Sequence, residues 1–176
     1  WSSDVCSSDL FHGLGERDRL LLQIAVTLHA CGKFISMKNS NECGYALIMS
    51  TEIIGLSHLE REIIANVVRY NIRDFDYDMM QLETEAGQDL AGVSDRTAIT
   101  ILIAKLTAIL RLANSMDKTH KAKLIDSRMA VRDGRLVITT GYQGDLALES
   151  ASFEQKAAFF EEIFGIRPVL KQKRRV

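Results

Sequence analysis

The residues with the clearest chemical meaning follow the first amphipathic segment: His29, then Ala30, with Gly32 and Lys33 close behind. A histidine directly followed by aspartate can bind a divalent cation, and the bound metal activates water for attack on a phosphorus ester. Alanine has no ligand atom to offer at the second position. We therefore predict that this segment holds no metal ion and that His29 is a hydrogen-bonded core residue.

A second set of residues suited to chemistry is basic and lies near the end of the longest apolar segment. Lys118, His120, Lys121 and Lys123 form a short run, and Arg111 precedes them at helical spacing. Clustered cations of this kind neutralise phosphate chains. We predict a substrate-binding groove for a polyanion, formed by Lys33, Arg69, Arg111, Lys118, His120, Lys121 and Lys123. The alternative is that they are solvated charges, some of which complement a helix dipole.

Composition narrows the class of protein. The 176 residues are 47% apolar, which suits one globular domain with a small appendage. Lys and Arg number 22 against 23 Asp and Glu, so the overall charge calls for neither nucleic acid nor a membrane surface as partner. We see no apolar run approaching the roughly 20 residues of a membrane span, and we expect a cytoplasmic protein. Cys31 and Cys43 are predicted to be buried, reduced thiols.

The first ten residues differ in character from the rest. They contain four serines and two aspartates without helical or strand periodicity, and the sequence changes abruptly at Phe11. This decapeptide resembles a translated sequencing adapter, so we exclude residues 1–10 from the fold as an artefact. On that reading we expect the natural protein to continue upstream of Phe11.

Hydrophobic periodicity predicts a helical domain over residues 11–121. Apolar residues recur at three to four positions in the segments 16–28, 40–49, 57–70 and 96–118. Gly32 is expected to close the first helix. Ser57 and Glu60 form a capping-box pattern that opens the third.

From residue 122 onward the pattern changes towards alternation. Segments 125–131 and 135–140 are predicted strands joined by a turn at Asp133-Gly134. A third strand is predicted over 146–149, then a helix capped by Ser152 with Gln155 and ended by Gly165, then a strand over 166–170. The predicted fold class is therefore mainly α: a helical domain followed by a small antiparallel α+β subdomain over 122–176.

Several of these segments together resemble the C-terminal half of the exopolyphosphatase/guanosine pentaphosphate phosphohydrolase family. The resemblance lies in the order and spacing of Gly13–Arg17, Leu28–His29, Gly32–Ile35, Ile54–His58, Val68–Asn71, Leu110–His120 and Phe159–Gly165. It covers nearly all of the chain after residue 10. In that family, an actin-like N-terminal half carries the catalytic carboxylates, the phosphate loops and magnesium, and we expect this half to be missing from the present chain.

The resemblance implies that this half contains an HD-like helical domain, which helps to bind the polyanion and to form a homodimer. His29 matches the histidine of the family's His-Asp pair, whereas Ala30 and Asn114 stand where aspartates are found. We therefore expect no catalytic residue, metal or cofactor here, and inorganic polyphosphate or guanosine pentaphosphate as the ligand. Two alternatives stay open: a metal-dependent HD phosphohydrolase acting on nucleotide phosphates, and a noncatalytic sensor of a phosphorylated ligand.

Overall fold

The computed structural model describes residues 13–77 and 92–173, without the side chains of 92–95. The helices in this part of the chain are α1 (Glu16–Leu28), α2 (Ser40–Ser50), α3 (His58–Tyr70), α4 (Gly92–Met116) and α5 (Ala147–Phe164), with a short 3-10 helix at Cys31–Phe34. The strands are β1 (Arg128–Arg132), β2 (Arg135–Thr140) and β3 (Arg167–Gln172). The predicted fold class, mainly α with a small α+β subdomain, is confirmed. The suspected artefact at residues 1–10 lies outside the described residues.

The chain folds as two compact units. One comprises Leu14–Leu110, and the other contains the chain from Arg111 onward. The division falls within α4, upstream of the predicted domain boundary after residue 121. We refer to these below as the helical unit and the α/β unit.

The helical unit is built around α3. Every residue from Glu62 to Val68 is buried, so this helix is covered on all sides rather than along one stripe. Its core combines side chains of α1 to α4, among them Leu21, Ala25, Ile48, Ile64, Val67, Ile103 and Leu106. Cys31 and Cys43 are free thiols but only half-buried, in contrast to the prediction that they are buried.

Local signals in the sequence located the starts of the first three helices. The predicted capping box at α3 is confirmed: Ser57 Oγ accepts from the Glu60 amide at 3.2 Å, and Glu60 Oε2 accepts from the Ser57 amide at 2.8 Å. The fourth helix is longer upstream than predicted, because it already begins at Gly92, and it ends at Met116.

Gly32 does not end α1, contrary to prediction, since that helix stops at Leu28. Instead it lies in the 3-10 helix, packed against the start of α2. A Cβ atom at Gly32 would lie 1.8 Å from the carbonyl oxygen of Ser40 and 2.5 Å from the amide nitrogen of Gly44. Only a residue without a side chain allows this backbone contact.

Arg17 of α1 and Glu60 of α3 join two helices of the helical unit. Arg17 donates from Nε to Glu60 Oε1 at 2.6 Å and from Nη2 to Glu60 Oε2 at 2.9 Å. The hydrogen bonds from Arg17 and from the Ser57 amide lower the pKa of Glu60 from its ordinary 4.5 to about 2. The same carboxylate thus caps α3 and binds α1.

The α/β unit contains a mixed sheet in the order β1-β2-β3. The β1–β2 hairpin is antiparallel and turns at Asp133 and Gly134, whose φ angles of 50° and 67° fit the predicted two-residue turn. Strand β3, however, pairs parallel to β2. The prediction of a wholly antiparallel subdomain is therefore wrong at β3, because α5 serves as a crossover that returns the chain in the same direction.

The predicted third strand at 146–149 is also wrong. Leu146 is the N-cap residue of α5, and the helix begins at Ala147, so Ser152 lies inside it and does not cap it. Residues Glu149, Phe153, Ala157 and Phe160 are buried at spacings of three or four, as on a helix face. A four-residue alternation was too short to distinguish a strand from a helix start. The helix ends at Gly165 with φ 68°, as predicted.

Helix α4 is more apolar than the sequence analysis indicated. By length and composition alone, its Arg96–Met116 part could cross a membrane, contrary to our finding of no such run. The core helix of a water-soluble protein passes the same test, and 44% of the apolar window is buried within the structure. The predicted cytoplasmic location stays a prediction.

We expect Gly32→Ala to lower the free energy of unfolding by about 1 to 3 kcal/mol, because the new methyl group overlaps backbone atoms that cannot rotate away. Urea denaturation followed by circular dichroism measures this loss. Gly141→Ala is the matched control, since Gly141 has no atom within 4 Å of the added Cβ. Equal stabilities of the two variants would contradict the backbone contact.

We expect Glu60→Gln to lower the free energy of unfolding by about 1 kcal/mol at pH 7, through loss of the ion pair with Arg17 and of the negative charge in the first turn of α3. A lowered folded-state pKa stabilises above the unfolded value, and this contribution is lost as the pH falls from 4.5 to 2. Urea titrations at pH 7, 4 and 2 should therefore show the difference from wild type shrinking. Glu52→Gln, at an exposed position, is the control; a pH-independent difference would refute the assignment.

Candidate anion-binding site

The predicted basic run lies on a short loop between α4 and β1, which closes on Asp117. The Asp117 carbonyl oxygen accepts from the His120 amide at 3.0 Å, and its Oδ1 accepts from the Ala122 amide at 2.9 Å. His120 and Ala122 have φ angles of 52° and 50°, in the left-handed region that side chains disfavour. We call residues 117–123 the basic loop.

A buried carboxylate binds two residues of the basic loop. Glu149 of α5 has no exposed surface. Its Oε1 accepts from Thr119 Oγ1 at 2.5 Å, and Lys123 Nζ lies 3.1 Å from both carboxylate oxygens. Lys123 Nζ also donates to the Asp145 carbonyl at 2.9 Å. The hydrogen bond from Thr119 and the ammonium group of Lys123 lower the pKa of Glu149 despite its burial.

Three of the predicted binding residues come together on this loop. Lys118, His120 and Lys121 are exposed, and none of their side chains has a partner among residues 13–77 and 92–173. Three such side chains within four positions provide donors and positive charge for an anion. Such an arrangement has the charge and the donors that suit a phosphate chain.

Two other predicted binding residues of the α/β unit already have partners. Lys123 is neutralised by Glu149, and only 13% of its side chain is exposed. Arg111 is 7% exposed, and its guanidinium lies 4.6 Å from the ring centre of Phe159. The structure thus gives both residues packing roles, and their predicted contact with a substrate stays a prediction.

The remaining two belong to the helical unit. Arg69 donates from Nε to Glu42 Oε1 at 2.9 Å and pairs with Oε2 at 2.8 Å, and Arg73 binds the same carboxylate at 3.0 Å. Lys33 is exposed in the 3-10 helix. Arg69 is therefore held in an ion pair, whereas Lys33 is available to solvent.

His29 forms a local hydrogen bond. Its Nδ1 lies 2.6 Å from the Val26 carbonyl, which fixes the tautomer with the proton on Nδ1. The ring is half-buried, so the predicted hydrogen bond is present but the core location is not. Asn114 is half-buried in α4. Within the described ranges, no group of three His, Cys, Asp or Glu side chains is arranged to hold a metal ion.

A groove of about 650 Å³ lies between α1 and α2 in the helical unit. It is lined by residues such as Leu20, Ile24 and Leu47, with Gln23, Thr27 and Thr51 as its polar members. No charged side chain is found among its lining residues, so the groove does not suit a polyanion.

Comparison with known families agrees with this architecture. The family model described as Ppx/GppA phosphatase, domain III, matches residues 7–156 of the chain. The chain belongs to the Ppx/GppA phosphatase family, and the part matched is its domain III. No curated protein matches the chain significantly. The family resemblance predicted from the sequence is thus confirmed.

Sequence reasoning missed the acidic partners of the site. Glu149 was placed in a strand, although its spacing of four from Phe153 fits a buried helix face. Glu42, which binds two arginines, had no local signal at all, because Arg69 is 27 residues away in the chain.

We expect Ala122→Gly to raise the free energy of unfolding by up to about 1 kcal/mol, since glycine adopts positive φ without the cost that alanine carries. Thermal and urea denaturation measure the gain. Ala130→Gly in β1 is the control at an exposed strand position, where glycine should destabilise. A loss of stability at position 122 equal to that at 130 would contradict the strained backbone.

Proposed function

We propose that this chain is the polyanion-binding C-terminal region of a Ppx/GppA phosphatase and that it binds inorganic polyphosphate through the basic loop. The observation that carries the proposal is the set of three exposed side chains, Lys118, His120 and Lys121, which have no partner among the described residues and lie on a loop closed by Asp117. Family membership supports a ligand with phosphate groups.

Electrostatics favour a local site over a general attraction. The chain has a net charge of −1, so a polyanion gains nothing from the protein as a whole. Attraction must come from clustered cations, which displace the counterions condensed on the polyanion. We therefore expect affinity to fall steeply as salt concentration rises.

We propose binding without hydrolysis for this region. Ala30, which follows His29, has no ligand atom, and a single imidazole cannot hold a divalent metal that activates water. We expect the catalytic carboxylates and magnesium of the phosphatase to lie outside this chain. Phosphate release by the purified chain with manganese or magnesium would instead support the HD phosphohydrolase alternative.

The basic loop recognises phosphate groups, which polyphosphate and guanosine pentaphosphate share. We name polyphosphate because adjacent cations on one loop suit a repeating anion, and competition between the two ligands tests that choice. We further propose self-association as a homodimer. Exposed apolar side chains such as Phe34, Met37 and Ile54 support it, and light scattering after size exclusion measures the mass.

We expect the double variant Lys118→Glu with Lys121→Glu to weaken binding of long-chain polyphosphate at least about tenfold, because two attractive charges become repulsive. The slope of log Kd against log salt concentration should fall by roughly two. Calorimetric titration of the full chain at several salt concentrations measures both quantities.

The matched control is Arg128→Glu with Arg132→Glu, which makes the same change in net charge at exposed positions of β1. Its affinity should stay within about twofold of wild type. Equal losses in both double variants would show that net charge alone matters, and an unbound wild-type chain would overturn the proposed function.

A further inference from the structure

We propose that Glu149 is a positioning residue for polyanion binding: its buried carboxylate holds Thr119 and Lys123 of the basic loop and thereby presents Lys118, His120 and Lys121 to the ligand. This inference rests on the proposed function, since it concerns how the same loop binds. Glu149 itself has no exposed surface and cannot touch the ligand.

The geometry ties two loop positions to one group. Thr119 and Lys123 both bind the Glu149 carboxylate, and only His120, Lys121 and Ala122 lie between them. The chain between two fixed points so close in sequence has few conformations left. The carboxylate therefore determines the path of the segment that contains two of the three exposed cations.

The backbone of that segment is strained, which indicates that something must hold it. His120 and Ala122 are non-glycine residues with positive φ, and such conformations persist only where the surroundings over-determine them. The amides of His120 and Ala122 are bonded to Asp117, and Glu149 holds the residues on either side of this segment. Without Glu149, we expect the segment to relax to ordinary φ values.

Preorganisation of this kind raises affinity. Lys118 and Lys121 carry like charges, and long side chains on a flexible loop lose conformational freedom when they bind a ligand. A loop already held in one conformation meets less of that cost at the moment of binding. Glu149 thus strengthens the binding of an anion although it is itself negatively charged.

The sign of this effect separates positioning from simple electrostatics. Removing a negative charge close to an anion site should tighten binding if Coulombic attraction alone decides the affinity. Positioning requires the opposite result. Glu149→Gln keeps the shape of the side chain and removes its charge, so it tests the two explanations against each other.

We expect Glu149→Gln to raise the Kd for long-chain polyphosphate about fivefold, through the freedom regained by the loop. Calorimetry of the full chain should show unchanged stoichiometry, whereas mere loss of folded protein would lower stoichiometry and leave Kd alone. Hydrogen exchange at the Ala122 amide, which binds Asp117, should become faster.

Two further variants complete the experiment. Thr119→Val removes one donor to Glu149 without changing the charge, so it should also weaken binding. It tests the inference even if Glu149→Gln does not fold. Glu154→Gln on the exposed side of α5 makes the same charge change away from the loop and should leave Kd unchanged. Tighter or unchanged binding by both Glu149→Gln and Thr119→Val would overturn the inference.

These outcomes are distinct from a failure of the proposed function. If wild type binds and the Lys118/Lys121 double variant does not, the proposed site is supported whatever the result for Glu149→Gln. If wild type does not bind polyphosphate, both the site and the inference are wrong. The inference is sustained only when affinity falls with Glu149→Gln or Thr119→Val and not with Glu154→Gln.

Discussion

The α/β unit depends on the burial of one carboxylate. Glu149 lies on the inner face of α5 beside Phe153, where an unpaired charge would be prohibitively costly. Lys123 meets that requirement, and its ammonium group also binds the Asp145 carbonyl just before α5. Lys123 therefore joins α5, the chain just before it and the loop after α4. The conformation of the basic loop is a consequence of satisfying that buried charge.

Much of the fold could be predicted because its signals are local. The capping box of α3 and the Asp133-Gly134 turn each depend on neighbouring residues, and both were found. The parallel pairing of β3 depends on a crossover through α5, for which the sequence near β3 contains no signal. The wrong start of α5 came from a segment where a buried helix face and a strand look alike.

For the candidate site too, some features could be predicted from the sequence and others could not. Exposure of Lys118 and Lys121 could be predicted from charge alone. The ion pairs of Lys123 and Arg69 could not be predicted, because their partners Glu149 and Glu42 are distant in sequence and ion pairing has no periodicity. Basic residues counted as one group from the sequence are thus of two kinds in the structure. Some are structural counterions, and the others remain available for a ligand.

The contact between the 3-10 helix and α2 constrains the segment that follows His29 through close backbone packing rather than through charge. Ala30 is half-buried between α1 and the 3-10 helix, and its side chain is a single methyl group without a polar atom. Two residues later, Gly32 meets the backbone of α2 directly, and Gly44 lies on the other side of that contact. Architecture and chemistry are therefore constrained by separate residues. A scaffold of this design can exchange its reactive groups, or do without them, while its helices continue to pack in the same way.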